Sequence, residues 1–68
     1  MQEIPIRDEV IRLGQLLKLA GLVGSGAEVK GLLLTGTVLV NGEVEERRGR
    51  QLRRGDVVSV DGDLVRVA

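Results

Sequence analysis

The sequence contains no cysteine, no histidine and no aromatic residue, and it has a single proline. Without cysteine there is no disulfide framework and no thiolate metal site. Without histidine and cysteine, the commonest general base and the commonest zinc ligands are missing. The composition therefore argues against an enzyme and against a metalloprotein, and we expect no cofactor.

Long hydrophobic runs are absent as well. The longest are Leu32–Leu34 and Val38–Val40, whereas a membrane span needs roughly 18 apolar residues. The first residues, from Met1 to Pro5, lack the basic region with which a signal peptide opens. We expect a cytoplasmic protein without a membrane partner.

What is present suffices for one small domain. A chain of 68 residues has no room for two domains, and valine, leucine and isoleucine supply nearly all of its apolar side chains. We treat residues 1–68 as a single domain with an N-terminal edge segment over 1–10, a core motif over 11–60 and a C-terminal strand over 61–68. A domain of this size is expected to have a stability of roughly 3–5 kcal/mol.

The charge is balanced overall but not along the chain. Ten basic and ten acidic residues cancel, yet residues 47–54, here called the arginine segment, contain five arginines and no acid. Arginine offers a planar five-donor fork that suits phosphate and carboxylate. Two interpretations are open: the segment is a solvated loop that pairs with Glu43, Glu45 and Glu46 just upstream, or it is an interaction surface.

The apolar spacing predicts two short helices. From Ile11 onward, apolar residues at positions 11, 13, 16, 17, 19 and 20 fit an amphipathic helix, and Gly21 falls where a left-handed residue ends it. Ser25 and Glu28 predict a capping box at the start of a second helix, which stops at Gly36. Two such helices form a hairpin.

After Gly36 the apolar period becomes two, which is typical of strands. The predicted strands and turns are residues 37–40, Asn41-Gly42 and 43–45 in one hairpin, and 56–60, Asp61-Gly62 and 63–67 in another. Asn-Gly favours a type I′ turn, because both of its residues need a positive φ. Pro5 lacks an amide hydrogen, so the N-terminal segment is an edge strand at most. We expect an α+β fold in which a two-helix hairpin packs on a small, mainly antiparallel sheet.

The predicted start of the second helix is a candidate anion site. Its free amides and its dipole favour a bound anion. Lys30 follows Gly26 by four residues, on the same face one turn on, so a phosphate at Ser25-Gly26 would also meet Lys30. The alternative is that Glu28 already satisfies this helix end and that Lys30 is solvated.

The order of elements and four motifs together resemble a known family. The motifs are Arg12-Leu13-Gly14-Gln15-Leu16-Leu17 with Gly21, Ser25-Gly26-Ala27 with Leu32-Leu33 and Gly36, Val38-Leu39-Val40-Asn41-Gly42, and Gly55-Asp56 before an apolar strand. They resemble the RNA-binding domain named after ribosomal protein S-four, which also occurs in pseudouridine synthases and tyrosyl-tRNA synthetases. The resemblance spans about residues 11–60 and is closest to a small stand-alone subclass.

The resemblance implies an alpha-L-type fold and a non-catalytic, RNA-binding function. It implies structured RNA of the rRNA or tRNA class, with a ribosomal particle or another protein as a further partner, and a monomeric chain. No aromatic side chain is available to stack on an unstacked base, so we expect contacts to the phosphate backbone and to RNA shape.

The resemblance and the charge pattern together predict the RNA-contacting residues. They are Arg12, Lys18, Ser25, Gly26, Lys30, Arg47, Arg48, Arg50, Arg53 and Arg54. Two positions depart from the family pattern. Gly14 stands where the family has aspartate, and Gly26 stands where it has an arginine that contacts RNA, so Lys30 is expected to supply the missing charge.

A rival hypothesis is a protein-interaction module. In that case the arginine segment binds an acidic partner, and the leucine-rich helices extend into a complex. The zero net charge favours this hypothesis, as do Glu43, Glu45 and Glu46, which we expect to be exposed. A salt-sensitive gel shift with structured RNA would separate it from RNA binding.

Overall fold

The computed structural model describes residues 1–68 and contains two helices and seven strands. In chain order they are β1 (Gln2–Ile4), β2 (Val10–Arg12), α1 (Leu13–Leu19), α2 (Gly26–Leu34), β3 (Val38–Val40), β4 (Glu43–Val44), β5 (Gln51–Arg53), β6 (Val57–Val60) and β7 (Asp63–Val67). The main sheet has the strand order β1-β7-β6-β3-β4, and β2 and β5 form a separate ribbon. Only the pair of β1 and β7 is parallel. The predicted α+β fold with a mainly antiparallel sheet is confirmed.

The core lies between one face of the main sheet and the two helices. Alternate residues of a strand point to the same face, and the valines at alternate positions of β3, β6 and β7 are buried there. The helices contribute Leu16 and Leu17 from α1, and Val29 and Leu33 from α2. None of the helices is long and apolar enough to cross a membrane.

Both predicted hairpin turns are confirmed by their backbone angles. Asn41 and Gly42 have φ values of 51° and 86°, and Asp61 and Gly62 have φ values of 48° and 89°. Positive φ at two successive residues is what a type I′ turn requires. These turns join β3 to β4 and β6 to β7, which pair with antiparallel register.

The first helix begins later than the apolar spacing predicts. Ile11 is not helical; it lies in β2 and is buried opposite Leu52 of β5. Leu19 is the last residue of α1 and is 61% exposed, so it is not part of the buried helix face. Gly21, with φ of 74°, follows the helix as predicted.

The predicted capping box at the second helix is wrong in detail. Ser25 occupies the N-cap position, but its side chain makes no capping hydrogen bond. Glu28 does reach back, and its Oε2 accepts a hydrogen bond from the Gly24 amide at 3.0 Å instead of from the Ser25 amide. The Glu28 carboxylate therefore binds the loop one residue before the predicted position. At its other end the helix stops before Gly36, as expected.

The pairing of β2 with β5 was not predicted. It turns the second half of the arginine segment into a strand, with Arg12 opposite Gln51 and Val10 opposite Arg53. The N-terminal segment forms an edge strand, β1, and Pro5 follows that strand directly. The ribbon brings the arginine segment against the start of α1.

Candidate nucleic-acid interface

The turn at Arg48 and Gly49 docks on the first turn of α1 through the backbone. The Gly14 amide donates a hydrogen bond to the Arg48 carbonyl at 2.9 Å, and the Leu13 amide donates to the Arg50 carbonyl at 2.8 Å. These bonds satisfy amides that the first turn of a helix leaves without a partner. Gly14 is buried, and a Cβ placed on it would lie 3.6 Å from the Cβ of Arg48.

A cavity of about 320 Å³ lies at this contact and is lined only by polar and glycine residues. We call it the cationic cavity; its lining is Arg12, Gly14, Gln15, Lys18, Arg48 and Gly49. It contains three cations and no carboxylate, and none of the three takes part in an ion pair. Position 14 is a glycine and therefore adds no counter-ion to the cavity.

The Arg48 guanidinium also reaches the start of α2. Its Nη1 lies 3.4 Å from the Gly26 carbonyl oxygen, a long hydrogen bond, and a Cβ on Gly26 would lie 3.6 Å from its Nη2. Arg48 therefore joins the cationic cavity to the N-terminal end of the second helix. Ser25 and Lys30 are exposed at this end, one before Gly26 and one a turn beyond it.

The ribbon places a fourth cation beside the cavity. Ile11 and Leu52 face the core, so Arg12 and Arg53 project from the opposite, exposed face of the ribbon. The register makes them diagonal neighbours, because Arg12 lies opposite Gln51. We call Arg12, Lys18, Lys30, Arg48 and Arg53, together with Ser25 and Gly26, the cationic surface.

Arg47 and Arg50 lie in a different environment, around the buried carboxylate of Glu45. The carboxylate accepts hydrogen bonds at 3.1 Å from Nε and Nη2 of Arg47 and from Nη1 of Arg50. It also accepts from the amides of Glu46 and Arg47. The side-chain hydrogen bond from Arg47, then that from its amide, hold the pKa of Glu45 at about 2. The interpretation that upstream glutamates pair with the segment thus holds for Arg47 and Arg50 through Glu45, and it is wrong for Glu43 and Glu46, which make no ion pair.

Arg54 does not line the cationic cavity. Its Nη2 donates to the Ile6 carbonyl at 2.7 Å and so ties the arginine segment to the loop after β1. The backbone amide of Arg53, by contrast, donates a hydrogen bond to the Asp56 carboxylate at 2.8 Å, and the Arg53 side chain is exposed. The ten predicted residues are therefore split: seven belong to the cationic surface, two surround Glu45, and Arg54 anchors a loop.

Two features of the site were missed at the level of sequence. The sequence presents Glu45 as one of three similar glutamates, but Glu45 is the one that is buried, and it organises the turn before Arg48. Gln15, which lines the cavity, was not considered. The alternation of Gln51, Leu52 and Arg53 is the only sequence signal for the ribbon, and it is three residues long.

The acidic side chains form no candidate metal site. No group of three or more carboxylate side chains is close enough to hold a metal ion. The buried carboxylate of Glu45 is fully engaged by five hydrogen bonds. What the arrangement can do is bind an anion at the cationic cavity.

The chain is similar to known proteins in both sequence and fold. Residues 4–68 match the protein family described as "S4 domain". A Bacillus subtilis (strain 168) protein named "Probable ribosome maturation protein RlbA" is 51% identical over 59 residues, which cover 87% of this chain and 83% of that protein. The solution structure of YbcJ from E. coli, described as revealing an alfaL motif involved in RNA-binding, superposes with a TM-score of 0.76 at 35% identity. That superposition covers all of this chain and 87% of YbcJ.

Proposed function

Because the chain belongs to the S4 domain family, we propose that it is an RNA-binding protein that recognises structured ribosomal RNA by its phosphate backbone and shape. The family is non-catalytic, in agreement with the expectation that the chain is not an enzyme. RNA binding is supported by the similarity to YbcJ. Ribosomal RNA is favoured over tRNA by the relative named for ribosome maturation, which also supports a cytoplasmic location on the ribosomal particle.

The observation that carries this proposal is the cationic cavity. Three unpaired cations, Arg12, Lys18 and Arg48, surround one space that no acidic side chain enters. Charge-assisted hydrogen bonds from arginine and lysine to phosphate oxygens are short and strong. A phosphate group of the RNA backbone is therefore the natural occupant.

Neighbouring phosphates extend along the cationic surface. On one side, the Ser25-Gly26 end of α2 and Lys30 hold the next phosphate, since Arg48 links this helix end to the cavity. On the other side, Arg53 continues the surface across the ribbon. Contacts of this kind fix the position of the protein on RNA without reading the base sequence.

The remaining three arginines of the arginine segment have a supporting role; they are Arg47, Arg50 and Arg54. Glu45 compensates part of the charge of Arg47 and Arg50, and it fixes the turn that presents Arg48. Arg54 keeps the segment against the loop after β1. We therefore assign these three residues a weaker contact with RNA than the cations of the cavity have.

Single charge neutralisations test the proposal. Arg12→Gln, Lys18→Gln and Arg48→Gln each remove one cation of the cavity, and Arg66→Gln is the matched control, because Arg66 lies on β7 and pairs with Glu3. We expect each cavity variant to bind fragments of ribosomal RNA about tenfold or more weakly, as the loss of a hydrogen bond to a charged group implies. The control should bind within about twofold of the unmodified protein.

Equal affinities for the cavity variants and the control would overturn the proposal. Retention of an acidic protein instead of RNA on immobilised protein, with the same dependence on Arg48, would replace it with the protein-interaction hypothesis. Thermal unfolding of each variant verifies that the fold is intact, which is expected because the three altered side chains are exposed.

A further inference from the structure

A second cavity adjoins the cationic cavity. It has a volume of about 490 Å³ and lies between the loop after β1, strand β2 and helix α1. Gln15 and Lys18 line both cavities, so the two lie next to each other on the surface. We call the second one the side groove.

The side groove differs in character from its neighbour. Its walls are aliphatic, formed by Ile6, Val10, Ile11 and Leu19. Leu19, the last residue of α1, is 61% exposed and does not belong to the hydrophobic core. Exposed apolar surface in a concave site is a feature of ligand-binding sites.

The rim of the side groove is polar and carries a net positive charge. Arg7 and Lys18 outnumber the one acid in the lining, Asp8. Gln15 accepts only a long hydrogen bond, 3.4 Å from the Arg12 amide, so its amide group is available as a donor and as an acceptor. An aliphatic wall with a cationic rim and one amide suits a base attached to a phosphate better than it suits an apolar peptide side chain.

Hydrogen bonds within the protein fix one wall of the side groove. The Ile6 carbonyl accepts the 2.7 Å hydrogen bond from Arg54, and the Ile6 amide donates to the Ala68 carbonyl at 3.2 Å. The loop that forms one wall is therefore fixed at both backbone groups of Ile6. A preformed site does not need to be ordered by its ligand, which favours binding.

We propose that the side groove takes the base of one unpaired nucleotide whose phosphate lies in the cationic cavity. The proposal rests on the proposed function and adds a preference for structured RNA that carries a bulged or looped-out nucleotide. One face of the base packs on the aliphatic wall that contains Ile6 and Leu19, and the Gln15 amide meets its polar edge. Arg7 lies at the rim, where a guanidinium plane can cover the second face of a base.

Three RNA hairpins of identical stem sequence test the proposal. One is fully paired, one carries a single bulged nucleotide, and one carries an abasic residue at the bulge, which keeps the phosphate and the backbone but removes the base. We expect the bulged hairpin to bind roughly fivefold or more tightly than the abasic one, because packing one face of a base on aliphatic side chains removes apolar surface from water. The fully paired hairpin should bind no better than the abasic one.

A pair of leucine variants locates the effect. Leu19→Gln alters the groove, and Leu34→Gln is the matched control, because Leu34 is also an exposed leucine at the last residue of a helix, 65% exposed on α2, and lies outside the groove. Leu19→Gln should abolish the preference for the bulged base without changing the affinity for the abasic hairpin. Leu34→Gln should leave both affinities unchanged.

The outcomes separate this proposal from the proposed function. Salt-sensitive binding of all three hairpins with equal affinity would overturn the side groove as a base site while RNA binding stands. A base preference that survives Leu19→Gln would likewise overturn it. Failure of every hairpin and of ribosomal RNA to bind would overturn both proposals together.

Discussion

The amide nitrogen of Gly14 lies 2.9 Å from the carbonyl oxygen of Arg48, so the arginine segment meets helix α1 through the backbone of both residues. This contact leaves the Arg48 side chain free to reach Gly26 and to line the cationic cavity. The position of the key cation is thus set by main-chain hydrogen bonds, and its charge remains available for a ligand.

Gly14 tolerates a methyl group at this contact. A Cβ there would lie 3.4 Å from Val29 Cγ1 and 3.5 Å from the Arg48 carbonyl oxygen, which is ordinary van der Waals contact. Glycine within a helix costs up to about 1 kcal/mol relative to alanine. We expect Gly14→Ala to raise the free energy of unfolding by about 0.5–1 kcal/mol in urea denaturation. A less stable variant would mean that the contact is tighter than these distances imply.

Glu45 is expected to make stability depend on pH. Its pKa is lowered from 4.5 to about 2 in the folded protein, mainly by the side-chain hydrogen bond from Arg47. A lowered pKa contributes stability that is fully present above pH 4.5 and is lost as the pH falls toward 2. Glu45→Gln should cost about 1–3 kcal/mol at pH 7, and its difference from the unmodified protein should shrink through this window.

Urea denaturation at several pH values between 2 and 7 measures this effect. Glu46→Gln serves as the control, because Glu46 is the exposed neighbour and makes no ion pair. A stability difference between Glu45→Gln and the unmodified protein that stays constant from pH 7 to pH 2 would contradict the assignment of the linkage to Glu45.

Asn41 does more than form its turn. Its Oδ1 accepts a hydrogen bond from the Val57 amide at 2.9 Å, and its Nδ2 donates to Asp56 at 3.1 Å. Asn41→Gly keeps the positive φ but removes both hydrogen bonds. Asp61→Gly is the control, because Asp61 is the equivalent residue of the other hairpin and its side chain makes no such hydrogen bond. We expect the first variant to be about 1–2 kcal/mol less stable than the second. Equal stabilities in thermal or urea unfolding would show that only the backbone angle matters at Asn41.

The turns and the helix ends were predictable because their chemistry is local. Asn41-Gly42 and Asp61-Gly62 reveal positive φ by residue type alone, and Gly21 and Gly36 mark helix ends for the same reason. The family motifs then placed the cations Arg12 and Lys18 in the candidate site. For these elements the necessary information lies within a few neighbouring residues.

The ribbon and the Glu45 cluster depend on contacts that local patterns do not encode. Strand β2 and strand β5 are three residues each and are separated by about 40 residues in the chain, so neither shows a clear period. The spacing of Ile11 fits α1 and so predicts a helical residue, whereas pairing with Leu52 places Ile11 in the ribbon. Glu45 differs from Glu43 and Glu46 only through its burial beside Arg47 and Arg50.

The central claim is that the cationic surface contacts phosphates, and the salt dependence of RNA binding tests this claim most directly. Its five cations, if each meets one phosphate, predict a slope of log affinity against log salt of about −3.5 to −4.5. The triple variant Arg12→Gln, Lys18→Gln, Arg48→Gln should reduce that slope to about −1.4 to −1.8. A slope shallower than about −1 for the unmodified protein, or the same slope for the triple variant, would contradict the account.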